Sequence, residues 1–268
     1  MNSPRKRFSE IVLDDIAMQL HDAVKEKKRI PPLSETFGID YEAAVEIRRR
    51  VANLLGRYAG RPAGFKLAFM SPGMQKALGL FEPEFGYLFS EFILSPGQTV
   101  EAASLSAPHV EPELAFIVNH ELMGPGITIS DVIAATDCIR PAIEIVGSRI
   151  TFEGVKASDI VADNVLFGRM ILSDRSFTPD EVNLENTPVS ITVDGETEES
   201  NTRKVGGNPA ASVAWLANKL AETNGRDGTI ESGHIIMTGS CTRLMPVKAG
   251  STVDVDFGTM GKLHLDIS

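Results

Sequence analysis

The stretch HVEPELAFIV, residues 109–118, limits what this chain can fold into more than any other. Its apolar content is that of a buried β-strand. Side chains alternate along a strand, so Val110, Pro112, Leu114, Phe116 and Val118 fall on one face and His109, Glu111, Glu113, Ala115 and Ile117 on the other. Two carboxylates therefore point the same way from a strand that reads as core. Further on, PAIEIVG sets Glu144 in the middle of a second apolar strand. A glutamate on a half-exposed strand is ordinary, and ExE alone would be read that way. Three of them in strands that look buried would each lose hydration and repel one another unless a cation joins them. A hard divalent ion such as Mg²⁺ suits the pattern, because it takes oxygen ligands and accepts a shell completed by water or substrate. His109 shares the face of the pair and is expected as a hydrogen-bonding or exposed neighbour rather than a ligand.

The rest of the chain builds the setting for those strands. Apolar residues recur at three- and four-residue intervals from about 7 to 28 and from 41 to 58, the spacing of amphipathic helices. The connector IPPLSETFGID ends in Asp40, a plausible N-cap. After residue 60 the texture changes to short apolar runs punctuated by Gly, Pro, Asp and Asn. Strands are expected at PAGFKLAF, GYLF, VEPELAFIV, IRPAIEIVG, NVLFGRMIL, VSITVDG, GHIIMTG, STVDVDFG and KLHLDI. Helices return at SPGMQKALGL, ISDVIAAT and NPAASVAWLANKLAE. The expected class is α+β, with an N-terminal helical region over 1–59 and a β-rich catalytic domain over 60–268.

Composition closes off several functions. No apolar run approaches the ~18 residues of a membrane-spanning helix, and the mean hydropathy of −0.01 is that of a globular protein. The amino terminus lacks an apolar segment followed by a small-residue cleavage site, so a cytoplasmic location is expected. A formal charge of −10 repels phosphate backbones, and the basic clusters PRKR, KEKKR and RRR are short, which argues against a nucleic-acid partner. Cys138 and Cys241 offer neither a CxxC pair nor a disulfide framework and are expected as reduced core thiols.

Taken in order, GFKLAFMSPGMQKALGLFEPEFGYLF, HVEPELAFIV, PAIEIVGSRI, ADN at 162–164, NPAASVAWLANKLA and GHIIMTGSCTRLMPVKAGSTVDVDFGTMG resemble the 2-keto-4-pentenoate hydratase and 4-oxalocrotonate decarboxylase family. That family lies within the fumarylacetoacetate hydrolase superfamily. The resemblance runs from about residue 40 to 268. It implies a mixed β-roll core, a Mg²⁺ or Mn²⁺ ion on Glu111, Glu113 and Glu144, a small 2-oxo or 2-hydroxydienoic acid as substrate, and a homo-oligomer.

Lys66 is the one charge in AGFKLAF. Strand composition reads it as an edge or snorkelling lysine, whereas the resemblance implies a lysine acting beside the metal. There, near Mg²⁺ and a partly apolar pocket, its pKa would fall. Glu84, in LFEPEFGYL, stands where the hydratase branch has an acid, usually Asp, and the resemblance implies that it is catalytic, moving protons together with Lys66; the alternative is an exposed turn glutamate after Pro83. Ser71, retained from a KIGLTS-like segment that here reads KLAFMS, is a candidate for substrate binding, and Arg243 is a candidate partner for a distal substrate carboxylate or a surface salt bridge. Two departures, Ala68 and Met70 in place of a glycine and a threonine and Val165–Leu166 in place of a DNASS-like run, make the pocket bulkier or more apolar. The expected activity is metal-dependent hydration of a 2-hydroxy-2,4-dienoate to a 4-hydroxy-2-oxo acid in aromatic meta-cleavage catabolism. Decarboxylation of a 4-oxalocrotonate-like acid and a non-catalytic, metal-stabilised binding protein are the alternatives.

Overall fold

The computed structural model describes residues 8–105, 107–224 and 228–268. The PRKR cluster lies outside them. Helix α1 (Glu10–Glu26) starts at Ser9, whose hydroxyl accepts from the Val12 amide, and ends at Lys27 in the left-handed conformation. After a short α2 (Leu33–Thr36), α3 (Tyr41–Tyr58) starts where the sequence indicates, with the Asp40 carboxylate accepting from the Ala43 amide. A capping oxygen of this kind satisfies a helix donor that has no partner within the helix. Leu13, Ile16 and Leu20 of α1 and Ile47, Val51 and Leu55 of α3 recur at helical spacing and are buried.

The larger sheet contains β1 (Pro62–Ala68), β2 (Glu84–Phe89), β3 (Ile93–Leu94), β4 (His109–Val118), β5 (Thr136–Val146), β6 (Phe167–Leu172) and β9 (Ile235–Met237), in the order β2-β1-β9-β4-β5-β6-β3. Strand β10 (Met245–Pro246) also pairs with β4. A second sheet has the order β12-β11-β7-β8, from β7 (Pro188–Val193), β8 (Glu196–Asn201), β11 (Thr252–Asp256) and β12 (Lys262–Asp266). The remaining helices are α4 (Pro72–Leu78), α5 (Ile129–Ala135), α6 (Ala157–Ala162) and α7 (Pro209–Asn224).

The alternation expected along residues 109–118 sorts two cores. Val110, Leu114, Phe116 and Val118 join Ile139, Ile143 and Ile145 of β5, the inner residues of the second sheet, and Val213, Leu216 and Leu220 of α7. On the opposite face Ala115 and Ala142 join the core formed with α1, α3 and α6. Glu111, Glu113 and Glu144 belong to this second face by the same alternation. The N-terminal helices therefore share a core with the sheet that carries the carboxylates.

Three expectations are corrected. NVLFGRMIL does not begin as a strand: Asn164, Val165 and Leu166 have φ of 50°, 51° and 62°, and β6 starts at Phe167. The Asn164 side chain holds this turn by accepting from the Tyr87 amide at 2.8 Å and donating to the Tyr87 carbonyl at 2.9 Å. Polar β8 has no apolar pattern to announce it; its place is set by the Asp194–Gly195 turn, with φ of 51° and 89°, that folds it back on β7. Cys138 is only half-buried, whereas Cys241 is in the core; both are free thiols. Among the described residues, no helix is long and apolar enough to cross a membrane.

Candidate metal centre and its cavity

The β4–β5 register sets Glu111 directly opposite Glu144, and Glu113 opposite Ala142 one same-face step along. Like charges opposed across a ladder repel, yet all three side chains are buried. Each offers a carboxylate oxygen, and these oxygens lie within 4.8 Å of one another. The Gly239 amide donates to Glu113 Oε2 at 2.7 Å. Glu113 Oε1 and Glu144 Oε2 have no hydrogen-bond partner among the described residues, and Glu144 Oε1 has only the Lys66 ammonium, 3.1 Å away and outside hydrogen-bonding geometry. Burial and the neighbouring Glu144 push the Glu111 carboxyl up to about 7, against the opposing pull of Lys66. Burial, Glu144 and Glu111 together raise Glu113 well above the usual carboxylate range.

These observations test whether an ion fits. Three carboxylates converge on one point, one ammonium offsets only part of their charge, and buried oxygens are left without donors. A buried acceptor without a partner costs about 1–3 kcal/mol, more when charged. An all-oxygen donor set that leaves room for other ligands is the chemistry that Mg²⁺ or Mn²⁺ accepts. The residues fit a hard divalent cation.

Lys66 is 2% exposed, which removes the reading of it as a snorkelling lysine. Its ammonium donates to the Val165 carbonyl at 3.1 Å. Burial pulls its pKa down, but the carboxylates of Glu144, Glu111 and Glu113 outweigh that and hold it above the ordinary value. The left-handed turn at 164–166 is what presents the Val165 carbonyl. Gly86 makes room for that turn, since a Cβ there would come within 2.6 Å of the Asn164 carbonyl oxygen.

A cavity of about 280 Å³ opens onto this centre. Lys66 and Glu111 line it, and so do Ala68, Met70, Val165 and Leu166, the positions where the sequence departs from its resembled family. At those positions the lining is apolar. Ser71 lines the cavity while its hydroxyl caps α4 by accepting from the Met74 amide at 3.3 Å. Arg243 also lines it, but its guanidinium donates to Glu198 at 2.6 Å and to Glu196, so the salt-bridge reading holds.

Glu84 stands elsewhere. It pairs with Ala68 in the β1–β2 ladder, where Lys66 pairs with Gly86. Its carboxylate accepts from Arg48 at 2.8 Å and from the Tyr41 hydroxyl, and it lines a separate cavity of about 220 Å³ with Trp215 and Lys219. It is 2% exposed and is no turn glutamate. The partner was missed in the sequence although it left a signal: Arg48 falls on the apolar stripe of α3 beside Ala44, Ile47 and Val51. His109 is part-buried, with Nδ1 2.9 Å from the Ala107 carbonyl, and is not among the converging ligands.

Residues 68–268 match the model of the family described as fumarylacetoacetate (FAA) hydrolase C-terminal. The chain is 33% identical to a 2-oxo-hept-4-ene-1,7-dioate hydratase of Escherichia coli, covering 92% of this chain and 95% of that one. It is 31% identical to a 2-keto-4-pentenoate hydratase of Paraburkholderia phymatum, over 96% and 97%. Among solved structures, 4-oxalocrotonate decarboxylase from Pseudomonas putida G7, complexed with magnesium and adipate, superposes with a TM-score of 0.92 at 26% identity, over 98% of this chain and all of that one.

Proposed function

This chain belongs to the fumarylacetoacetate hydrolase family, and from that premise we propose that it is a metal-dependent hydratase converting a 2-hydroxy-2,4-dienoate to a 4-hydroxy-2-oxo acid. The observation that carries the reading is the set of three buried, converging carboxylates, two of them with unpartnered oxygens, of which Glu111 lines an apolar cavity that Lys66 lines as well. Relatives named as hydratases of such acids, matched over nearly the whole chain, support the substrate class.

In this proposal Glu111, Glu113 and Glu144 hold Mg²⁺ or Mn²⁺, which when bound supplies positive charge for the carboxylate and 2-oxygen of the substrate. Ketonisation moves a proton from the C2 hydroxyl to C5, and hydration then adds the oxygen of water to C4 and a proton to C3. Lys66 Nζ holds a proton beside these atoms and is the acid–base group of the cavity. The apolar wall of Met70, Val165 and Leu166 limits bulk water around the enol. Ser71 contributes a hydroxyl for binding. Glu84 acts as a positioning residue: with Arg48 of α3, which also donates to the Phe85 carbonyl, it ties α3 to β2, the strand paired with the one that carries Lys66. Assembly as a homo-oligomer in the cytoplasm and a place in aromatic ring catabolism belong to the same proposal.

A second reading, decarboxylation, is favoured by the close superposition on a decarboxylase. The test is product analysis by NMR after incubating the purified protein and Mg²⁺ with freshly generated 2-hydroxypenta-2,4-dienoate and, separately, 4-oxalocrotonate. Hydrated product from the dienoate supports the proposal. Release of CO₂ from 4-oxalocrotonate with no hydration of the dienoate supports the second reading, and turnover of neither leaves a binding protein.

A further inference from the structure

The cavity has a buried end and an open end. Lys66 and Glu111 are buried, whereas Lys204 and Arg243, which line the same cavity, are exposed. The rest of the lining is mostly apolar, with Leu67, Phe69, Met70 and Leu244 among its residues. The two cations at the open end differ in one respect. Arg243 is committed to Glu198 and Glu196. The Lys204 ammonium has no hydrogen bond or ion pair among the described residues.

Lys204 ends the single turn Thr202–Lys204 that follows β8. The next residue, Val205, is in the core, and its Cγ1 lies 3.7 Å from where a Cβ on Gly239 would stand. Gly239 is the residue whose amide binds Glu113. The backbone that carries Lys204 is thus packed against the loop that holds the carboxylate centre.

We infer that Lys204 binds a second, distal carboxylate of the substrate, so that the cavity selects 2-oxo dioic acids over monocarboxylic ones. The inference rests on the proposed 2-oxo acid chemistry at the carboxylate centre. An acid whose C1 carboxylate and 2-oxo group sit at the buried end runs its chain along the apolar wall and brings a distal carboxylate toward the open end. Of the two cations there, only Lys204 is without an anionic partner. Arg243, paired with two glutamates, adds no net positive charge.

Binding of two unreactive ligands tests this independently of turnover. 2-Oxoheptanedioate and 2-oxoheptanoate have the same carbon chain and differ only in the distal carboxylate. Each is titrated calorimetrically, with Mg²⁺ present, into wild type, Lys204→Met and Lys204→Arg. Because position 204 is exposed, both variants are expected to fold, and their thermal unfolding is checked alongside. Wild type should bind the dioate roughly tenfold more tightly than the monoacid, through a charge-assisted hydrogen bond. Lys204→Met should erase that preference while leaving the monoacid affinity unchanged, and Lys204→Arg should keep it. Equal wild-type affinity for the two ligands, or a preference that survives Lys204→Met, overturns the role of Lys204 alone. Failure of wild type to bind either ligand overturns the 2-oxo acid reading and this inference with it.

Discussion

Two buried groups of charge lie close together in this chain and are finished very differently. At one, Arg149 donates through its side chain to Asp163 Oδ1 at 2.6 Å, to the carbonyls of Gly147 and Phe167, and to the Asp163 carbonyl, while its own amide donates to Asp163 Oδ2. At the other, Glu111, Glu113 and Glu144 crowd together with one ammonium nearby and with oxygens that meet no donor. Both groups are out of water, so burial of charge does not separate them. Satisfaction does. A buried ion pair whose hydrogen bonds are complete is a structural joint, whereas converging carboxylates with unused lone pairs await a cation. The two are also connected, because Asp163 leads into the left-handed turn whose Val165 carbonyl takes the Lys66 ammonium.

The comparison breaks first at the joint. Arg149→Met leaves the Asp163 carboxylate buried without its partner and should cost about 3–5 kcal/mol in denaturant unfolding. A loss below about 1 kcal/mol would mean that the joint holds nothing. At the centre, Lys66→Met should lower kcat by about 10²-fold while metal affinity is retained. Turnover at the wild-type rate would return Lys66 to a charge-balancing role. Glu84→Gln sharpens the middle ground: it should lower stability by about 1–3 kcal/mol by weakening the bonds to Arg48 and Tyr41, leave metal affinity intact, and reduce kcat only a few-fold. A large loss of kcat at unchanged stability would instead place Glu84 in the proton path. The smallest effect has the opposite sign. In chelator-treated protein Glu113→Gln replaces a carboxyl whose ionisation is opposed by burial and by Glu144 and Glu111, and its amide can still accept from Gly239, so unfolding should become harder by about 1 kcal/mol. A destabilised variant would show that the carboxylate at 113 is structural.

Much of this was written in local patterns. Strand alternation put Glu111 and Glu113 on one face, and that face is the one opposite the Val110–Leu114–Phe116 core. Asp40 announced the start of α3, and the helical stripes gave α1 and α3. What stayed hidden depends on contacts between distant segments. The run NVLFGRMIL reads as a strand because nothing near it reveals that Asn164 bonds to the Tyr87 backbone. Polar β8 is fixed by its hairpin turn and its pairing with β7, not by an apolar face. The partners of Glu84 and Arg243 are set by which strands and helices meet, although Arg48 on the apolar stripe of α3 hinted that a buried carboxylate would answer it. Lys66 was ambiguous between surface and site because a single lysine in a strand carries no record of which face is covered.

The central claim is that the under-bonded carboxylates hold a divalent ion. Its most direct test is titration of chelator-stripped protein with Mn²⁺, following the free ion by electron paramagnetic resonance, with Mg²⁺ as competitor. Wild type should bind a single Mn²⁺ per chain, displaceable by Mg²⁺, and Glu113→Gln should weaken that binding by at least about tenfold, because a charged oxygen ligand is lost from a small set. Wild type that binds no ion, or a Glu113→Gln variant that binds it equally well, would contradict the account.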